Sequence, residues 1–176
     1  MRDVIVAVVT IVVIGGLAMG VKAIMDAQPR LPYSDKGTTI SWLPSTVTRW
    51  RSTIESNAER YNVDANLVAV IMTLESGGYS KADSGEAVGV MQVTPATGGD
   101  IAAKHLKTPV TKYDLKDAKT NIEFGVAYLA YLRDEFCDHT TGPDWACVEL
   151  IAAGYNGGPG AANRVYKGEG LTDTET

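Results

Sequence analysis

The sequence predicts a mainly α-helical domain preceded by a single N-terminal transmembrane helix. Three observations predict it. Apolar residues recur at helical spacing in several stretches between Val47 and Phe136. Residues that start and stop helices bracket those stretches, with Asp64 and Asp144 as N-caps and Gly77-Gly78 as a stop. The run from Val4 to Val21 holds 18 residues with one polar member, Thr10.

As a helix, that run is roughly 27 Å long, against a hydrocarbon core of about 30 Å. Lys22 can snorkel and let Ala23, Ile24 and Met25 extend it. A buried helix of a soluble protein rarely runs so far with no polar face. A cleavable signal peptide competes, because Ala18-Met19-Gly20 and Val21-Lys22-Ala23 both resemble small-residue cleavage sites. The retained anchor is favoured because the run outlasts the usual apolar region of such peptides. Residues 1–25 are therefore read as anchor (or signal peptide). Residues 26–45 contain Pro29, Pro32 and Pro44 without an apolar period and read as a tether. Residues 46–167 form the folded domain, and 168–176 a polar, flexible tail.

Within the domain, Val47, Trp50, Ile54, Ala58 and Tyr61 lie on one face of a first helix. Asp64 caps a second helix that carries Leu67, Val68, Ile71 and Leu74. Residues 79–99 read as loop with a short hairpin, and a brief helix is expected near Asp100–Leu106. The longest helix of the domain spans Asp117 to about Phe136, with Ile122, Val126, Leu129, Leu132 and Phe136 as its stripe. Asp144 caps a further helix to about Ala153, and a last turn follows Pro159.

Hydrophobic residues make up 45% and charged residues 21%, which suits a folded protein. The net charge of −5 argues against a nucleic-acid partner met through a broad basic surface. No phosphate loop, Gly-x-Ser-x-Gly elbow or His-Glu-x-x-His occurs, so no cofactor or metal is expected. Cys137 and Cys147 bracket a short loop. They are either two small buried residues or, outside the cytoplasm, a disulfide worth on the order of 3 kcal/mol at best.

One carboxylate stands out. Glu75 closes the apolar stretch Ile71-Met72-Thr73-Leu74 and precedes Ser76-Gly77-Gly78. The negative end of a helix and apolar burial both favour its protonated form. A carboxyl protonated near neutral pH is what a general acid needs. Asp64 begins the same helix roughly 16 Å away, beyond the ~5–9.5 Å that paired glycosidase carboxylates use. Asp83 and Glu86 follow on the loop, and spacing alone does not place them.

At this point the chain resembles a family. Glu75-Ser76-Gly77, Ala82-x-Ser84, Ala87-Val88-Gly89-Val90-Met91-Gln92-Val93 and Pro95-Ala96-Thr97 look like the catalytic stretch of lytic transglycosylases related to the soluble lytic transglycosylase. Asn121-Ile122-x-x-Gly125-x-x-Tyr128-Leu129 is similar to their next motif. Ala153-Gly154-Tyr155-Asn156-Gly157-Gly158-Pro159-Gly160 resembles their Ala-Tyr-Asn motif. The resemblance implies a lysozyme-like fold, peptidoglycan as the partner, and Glu75 as the single acid and base that leaves a 1,6-anhydroMurNAc end. It implies that Ser84 polarises the N-acetyl region, Gln92 lines the glycan groove, Tyr155 lies near the catalytic carboxyl, and Asn156 is its groove neighbour. Gly89, Gly157 and Gly158 are expected to supply positive φ.

The sequence departs from the family pattern at four places, one being a loop between Ser84 and Gly89 that is one residue short. Gly154 stands for the usual Ala, Gly78 for a frequent aromatic with Tyr79 one place later, and Thr94 for a common Met. Two other readings compete. One is a goose-type lysozyme-like hydrolase that activates water with Asp83 or Glu86. The other is a non-catalytic, glycan-binding part of an envelope-spanning secretion system or virion. The expected site is periplasmic, with the membrane met through residues 4–21. The intact protein should then fractionate with membranes. A mature N-terminus at Val21 or Ile24 would instead mark the run as a signal peptide.

Overall fold

A computed structural model of the chain describes Thr38, residues 40–101, Lys104, residues 114–137 and residues 144–171. The anchor at 1–25, most of the tether and the last residues of the tail lie outside the described residues. No helix among the described residues is long and apolar enough to cross a membrane. Packing divides the chain into two compact units, one covering Tyr33–Ala130 and the other including Tyr131–Thr176.

The first unit opens with two helices where one was expected, α1 (Ser45–Thr48) and α2 (Arg51–Tyr61). The interruption falls at Arg49-Trp50, where Trp50 has φ −92° and ψ 2°. Both of those side chains reach away to the carbonyl of Gly78, at 2.8 and 3.0 Å. A tertiary contact thus overrides the helical period. Val47, Ile54 and Ala58 are nonetheless buried, as the period predicts. Asn62 ends α2 in the left-handed region with φ 52°, a conformation that Asn tolerates better than most residues. Before α1, Thr38 is held by α2. Its N–H and hydroxyl both donate to Glu55 Oε1 at 2.9 Å, and Arg51 donates to its carbonyl at 2.6 Å.

Asp64 caps α3 (Ala65–Ser76), accepting from the backbone N–H of Asn66 and Leu67. The buried face of α3 runs through Ala65, Val68, Ala69, Ile71 and Met72. Leu74 is off that face and 42% exposed, contrary to its expected place in the stripe. The segment after α3 forms a tight turn rather than paired strands. Asp83 bridges Val88, and Val88 bridges Val93, both antiparallel. Then α4 (Pro95–Ile101) begins five residues earlier than the expected Asp100, with Thr94 Oγ1 accepting from the Thr97 N–H as its cap. A 3₁₀ turn at Asp114–Lys116 leads into α5 (Ala118–Phe136), capped by Asp117 through the Thr120 N–H.

One buried amide ties this unit together. Asn121 on α5 is fully buried. Its Oδ1 accepts from the Met91 N–H at 2.7 Å, and its Nδ2 donates to the carbonyls of Val88 and Leu115 at 2.8 and 2.9 Å. The side chain lies against Gly89, where a Cβ would come within 2.5 Å of it. One turn further along α5, Gly125 makes room for Met91, to which a Cβ would approach within 2.7 Å.

The second unit holds the end of α5 and α6 (Asp144–Tyr166). Cys137 and Cys147 are joined by a disulfide, Cα–Cα 5.0 Å. The α6 helix is broken at Gly158, with φ 76° and ψ 176°, and Pro159 opens the part that follows. Only glycine adopts that conformation without strain. Gly157, by contrast, is absent from the positive-φ residues and continues the helix. Gly154, which stands for the family's usual Ala, lies within the helix. It is a contact point, where a Cβ would lie 2.6 Å from Leu132.

Removal of the buried amide should be costly. Asn121→Ala leaves the Met91 N–H and the Leu115 carbonyl without that partner, at about 1–3 kcal/mol for each buried group, while the Val88 carbonyl keeps the Val93 N–H. We expect a loss on the order of 3 kcal/mol or more in denaturant unfolding, and a loss below 1 kcal/mol would contradict this account.

Candidate active site

Glu75 lies in the last turn of α3, one residue before its end at Ser76. The helix stops because Gly77 takes the left-handed conformation with φ 61°, its N–H returning to the Thr73 carbonyl. Glu75 is only partly exposed. Burial raises its carboxyl to about pH 7, and no charged group among the described residues contributes to that rise. Leu74 at 42% and Tyr79 at 61% exposure flank it along the chain as large apolar side chains open to solvent.

The next residue fastens the helix end to the loop. The hydroxyl of Ser76 donates to the Val90 carbonyl at 2.6 Å and accepts from the Gly78 N–H at 3.0 Å. Gly78 is buried against α1, where a Cβ would come within 2.3 Å of the Thr46 carbonyl. This accounts for the missing aromatic at that position, since no side chain fits and Tyr79 carries the ring instead.

The loop brings Gln92 to the same unit. Gln92 has φ 45°, and its Nε2 donates to the Gly89 carbonyl at 2.9 Å. Ser84 is exposed and engaged locally, its hydroxyl accepting from the Ala87 N–H at 3.0 Å and facing the Ala87 carbonyl at 3.3 Å. Asp83 accepts from the Gly85 N–H at 2.9 Å through one oxygen, and its other oxygen pairs with Lys116 at 3.4 Å. Glu86 is exposed. Tyr155 and Asn156 lie in the second unit, on α6 just before the break at Gly158, with Tyr155 partly exposed and Asn156 exposed.

The structure thus gathers Glu75, Ser84 and Gln92 in one unit and carries Tyr155 and Asn156 in the other. Several residues take supporting roles that the sequence alone did not assign to them. Asn121 and Gly125 brace the loop, and Arg49 and Trp50 brace the end of α3. The spacing of Asn121 and Gly125, one helical turn apart on a buried face, is a signal that could have marked the first pair.

The frame is the mainly helical, lysozyme-like one. A model described as the transglycosylase SLT domain matches residues 52–176, and the chain belongs to that family. It is 40% identical over 117 residues to membrane-bound lytic murein transglycosylase C of Haemophilus influenzae, covering 64% of this chain and 32% of that protein. It is 42% identical over 122 residues to the protein of the same name from Histophilus somni, covering 67% and 33%. The chain therefore spans about a third of the length of these curated relatives. Among solved structures it is similar to the lytic transglycosylase Slt of Pseudomonas aeruginosa, crystallised as an inactive Glu-to-Gln mutant. The TM-score is 0.56 at 28% identity, covering 65% of this chain and 17% of that one.

The raised carboxyl has a thermodynamic consequence. Folded Glu75 keeps its proton to about pH 7, whereas the unfolded residue releases it near pH 4.3. The fold therefore loses stability as pH rises through that window, by on the order of 4 kcal/mol at most. Glu75→Gln should match the wild type at pH 4 and exceed it in unfolding free energy at pH 8. A difference that stays constant across that range would show that Glu75 is not held protonated by the fold.

Proposed function

We propose that this chain cleaves the MurNAc–GlcNAc β-1,4 bond of peptidoglycan as a lytic transglycosylase, with Glu75 as its one catalytic carboxyl. The observation that carries this reading is a lone glutamic acid, held protonated to about pH 7 by burial, at a helix end in an SLT domain. Protonated Glu75 donates to the bridging oxygen, and the glycosidic bond breaks as the leaving sugar takes that proton. The substrate's N-acetyl group supports the positive charge left at the anomeric carbon. The Glu75 carboxylate then removes the proton of the sugar's own 6-hydroxyl, whose oxygen closes the 1,6-anhydro ring. The proton lent in the first step returns in the second, and no protein nucleophile or water enters.

In this reading Gln92 offers its amide oxygen to a sugar hydroxyl, since its nitrogen is held by Gly89. The family likeness gives Ser84, Tyr155 and Asn156 substrate-binding roles. The competing hydrolase needs a carboxylate to activate water. Asp83 is the nearer choice in sequence, and its two oxygens are taken up by the Gly85 N–H and Lys116. The inactive Pseudomonas Slt mutant carries a Glu-to-Gln change, which supports an essential glutamic acid in either reading.

The wall-facing, membrane-anchored location belongs to the same proposal. It is supported by the apolar run at 4–21 and by relatives that are named membrane-bound. The Cys137–Cys147 bridge fits an oxidising compartment outside the cytoplasm.

Digestion of purified sacculi tests the chemistry. Muropeptides should end in 1,6-anhydroMurNAc, lighter by one water than hydrolysed ends, and dominant reducing ends would favour the hydrolase. Glu75→Gln should fold and lose at least the ~10²–10⁴-fold typical of general acid–base catalysis, because one group makes both proton transfers. Turnover above a tenth of wild type in the folded variant would remove Glu75 from the mechanism. Asp64→Asn should leave turnover intact, since Asn caps nearly as well.

A further inference from the structure

We infer that Arg49 and Trp50 are positioning residues for Glu75, holding the backbone beyond it so that the carboxyl keeps one direction. The inference rests on the reading of Glu75 as the proton donor. Helix ends ordinarily fray, because their last carbonyls have no partner within the helix. Here the three residues after Glu75 are gripped from two sides. From the loop side, the Ser76 hydroxyl spans the Val90 carbonyl and the Gly78 N–H. From the α1–α2 side, Arg49 Nη2 and Trp50 Nε1 both donate to the Gly78 carbonyl, at 2.8 and 3.0 Å.

The two donors are set against each other, with the Arg49 guanidinium over the Trp50 ring at 5.0 Å from its centre. The carbonyl they share belongs to a buried glycine that sits directly on the α1 backbone at Thr46. A Gly78 carbonyl with both lone pairs taken cannot swing without breaking two bonds. Arg49 and Trp50 also interrupt what the apolar period would make one continuous helix, so the local structure gives way to this contact. Neither side chain is required to touch substrate, and their effect passes through residues 76–78 to the turn that carries Glu75. A displacement of about 1 Å in a reacting group can cost on the order of 10²-fold in rate.

Trp50→Phe keeps the ring and removes the donor. Arg49→Lys keeps the charge and removes the planar fork. Each should lower kcat on sacculi about tenfold, and the pair together nearer to 10²-fold, with KM within about twofold. The pH midpoint of the Glu75 carboxyl, read by ¹³C NMR of labelled protein, should fall toward the ordinary glutamate value as water gains access to the loosened turn. Glu55→Gln, which loosens the Thr38 clamp in the same unit, serves as control and should change neither kcat nor that midpoint. Variants that only lower thermal stability, with kcat and the midpoint both unchanged, would overturn the inference, as would a fall carried by KM alone. The NMR midpoint does not depend on turnover. If Glu75→Gln proves active, the catalytic reading fails, while the midpoint in Trp50→Phe still decides whether Arg49 and Trp50 hold the residue.

Discussion

The buried side chain of Asn121 is the constraint on which the Tyr33–Ala130 unit depends. A primary amide taken out of water must have its polar atoms partnered, and Asn121 finds its partners at Met91, Val88 and Leu115. Those bonds fix the Val88–Val93 turn on α5, and the absent side chains of Gly89 and Gly125 let the turn lie close enough to be reached. The turn in turn offers the Val90 carbonyl to Ser76 and so secures the end of α3. A single polar side chain in an apolar face thereby ties the loop that carries Gln92 to the helix that carries Glu75.

The chemistry follows from how that helix ends. A glutamic acid within the last turn, partly covered and without a cationic neighbour among the described residues, is cheaper to keep neutral than ionised. The cost is borne by the fold at alkaline pH. Gly77 ends the helix, Ser76 faces the loop, and Gly78 faces α1. The turn is thus held by contacts other than the Glu75 carboxyl, as the proposed proton transfers require. Asp83 shows the opposite arrangement, exposed and engaged with Gly85 and Lys116, as suits a residue that shapes a turn.

The second unit is held by different means. Its disulfide joins Cys137, just after α5, to Cys147 near the beginning of α6. Gly154 lets Leu132 approach the α6 backbone, and Gly158 breaks α6 just after Tyr155-Asn156. The dipeptide therefore lies at the last turn before a change of direction, a position set by a conformation that only glycine adopts freely.

Much of the secondary structure was legible in the residues themselves. Asp64 caps its helix, Gly77 stops α3, and the stripe of Ile122, Val126, Leu129 and Leu132 is buried, because caps and periods are local properties of a chain. Glu75 was legible for the same reason, since its place at an apolar helix end is written in the order of residues. What the sequence did not carry lay in contacts distant along the chain. The break at Arg49-Trp50 depends on a carbonyl 28 residues away, and the clamp of Asn121 on one 33 residues away. The exposure of Leu74 depends on which face of α3 its neighbours cover, and the need for glycine at 78 and 154 on backbone and side chains that only folding brings near. Local order thus determined the helices and the acid, and tertiary packing alone decided how tightly the acid is held, because long-range contacts have no period to betray them.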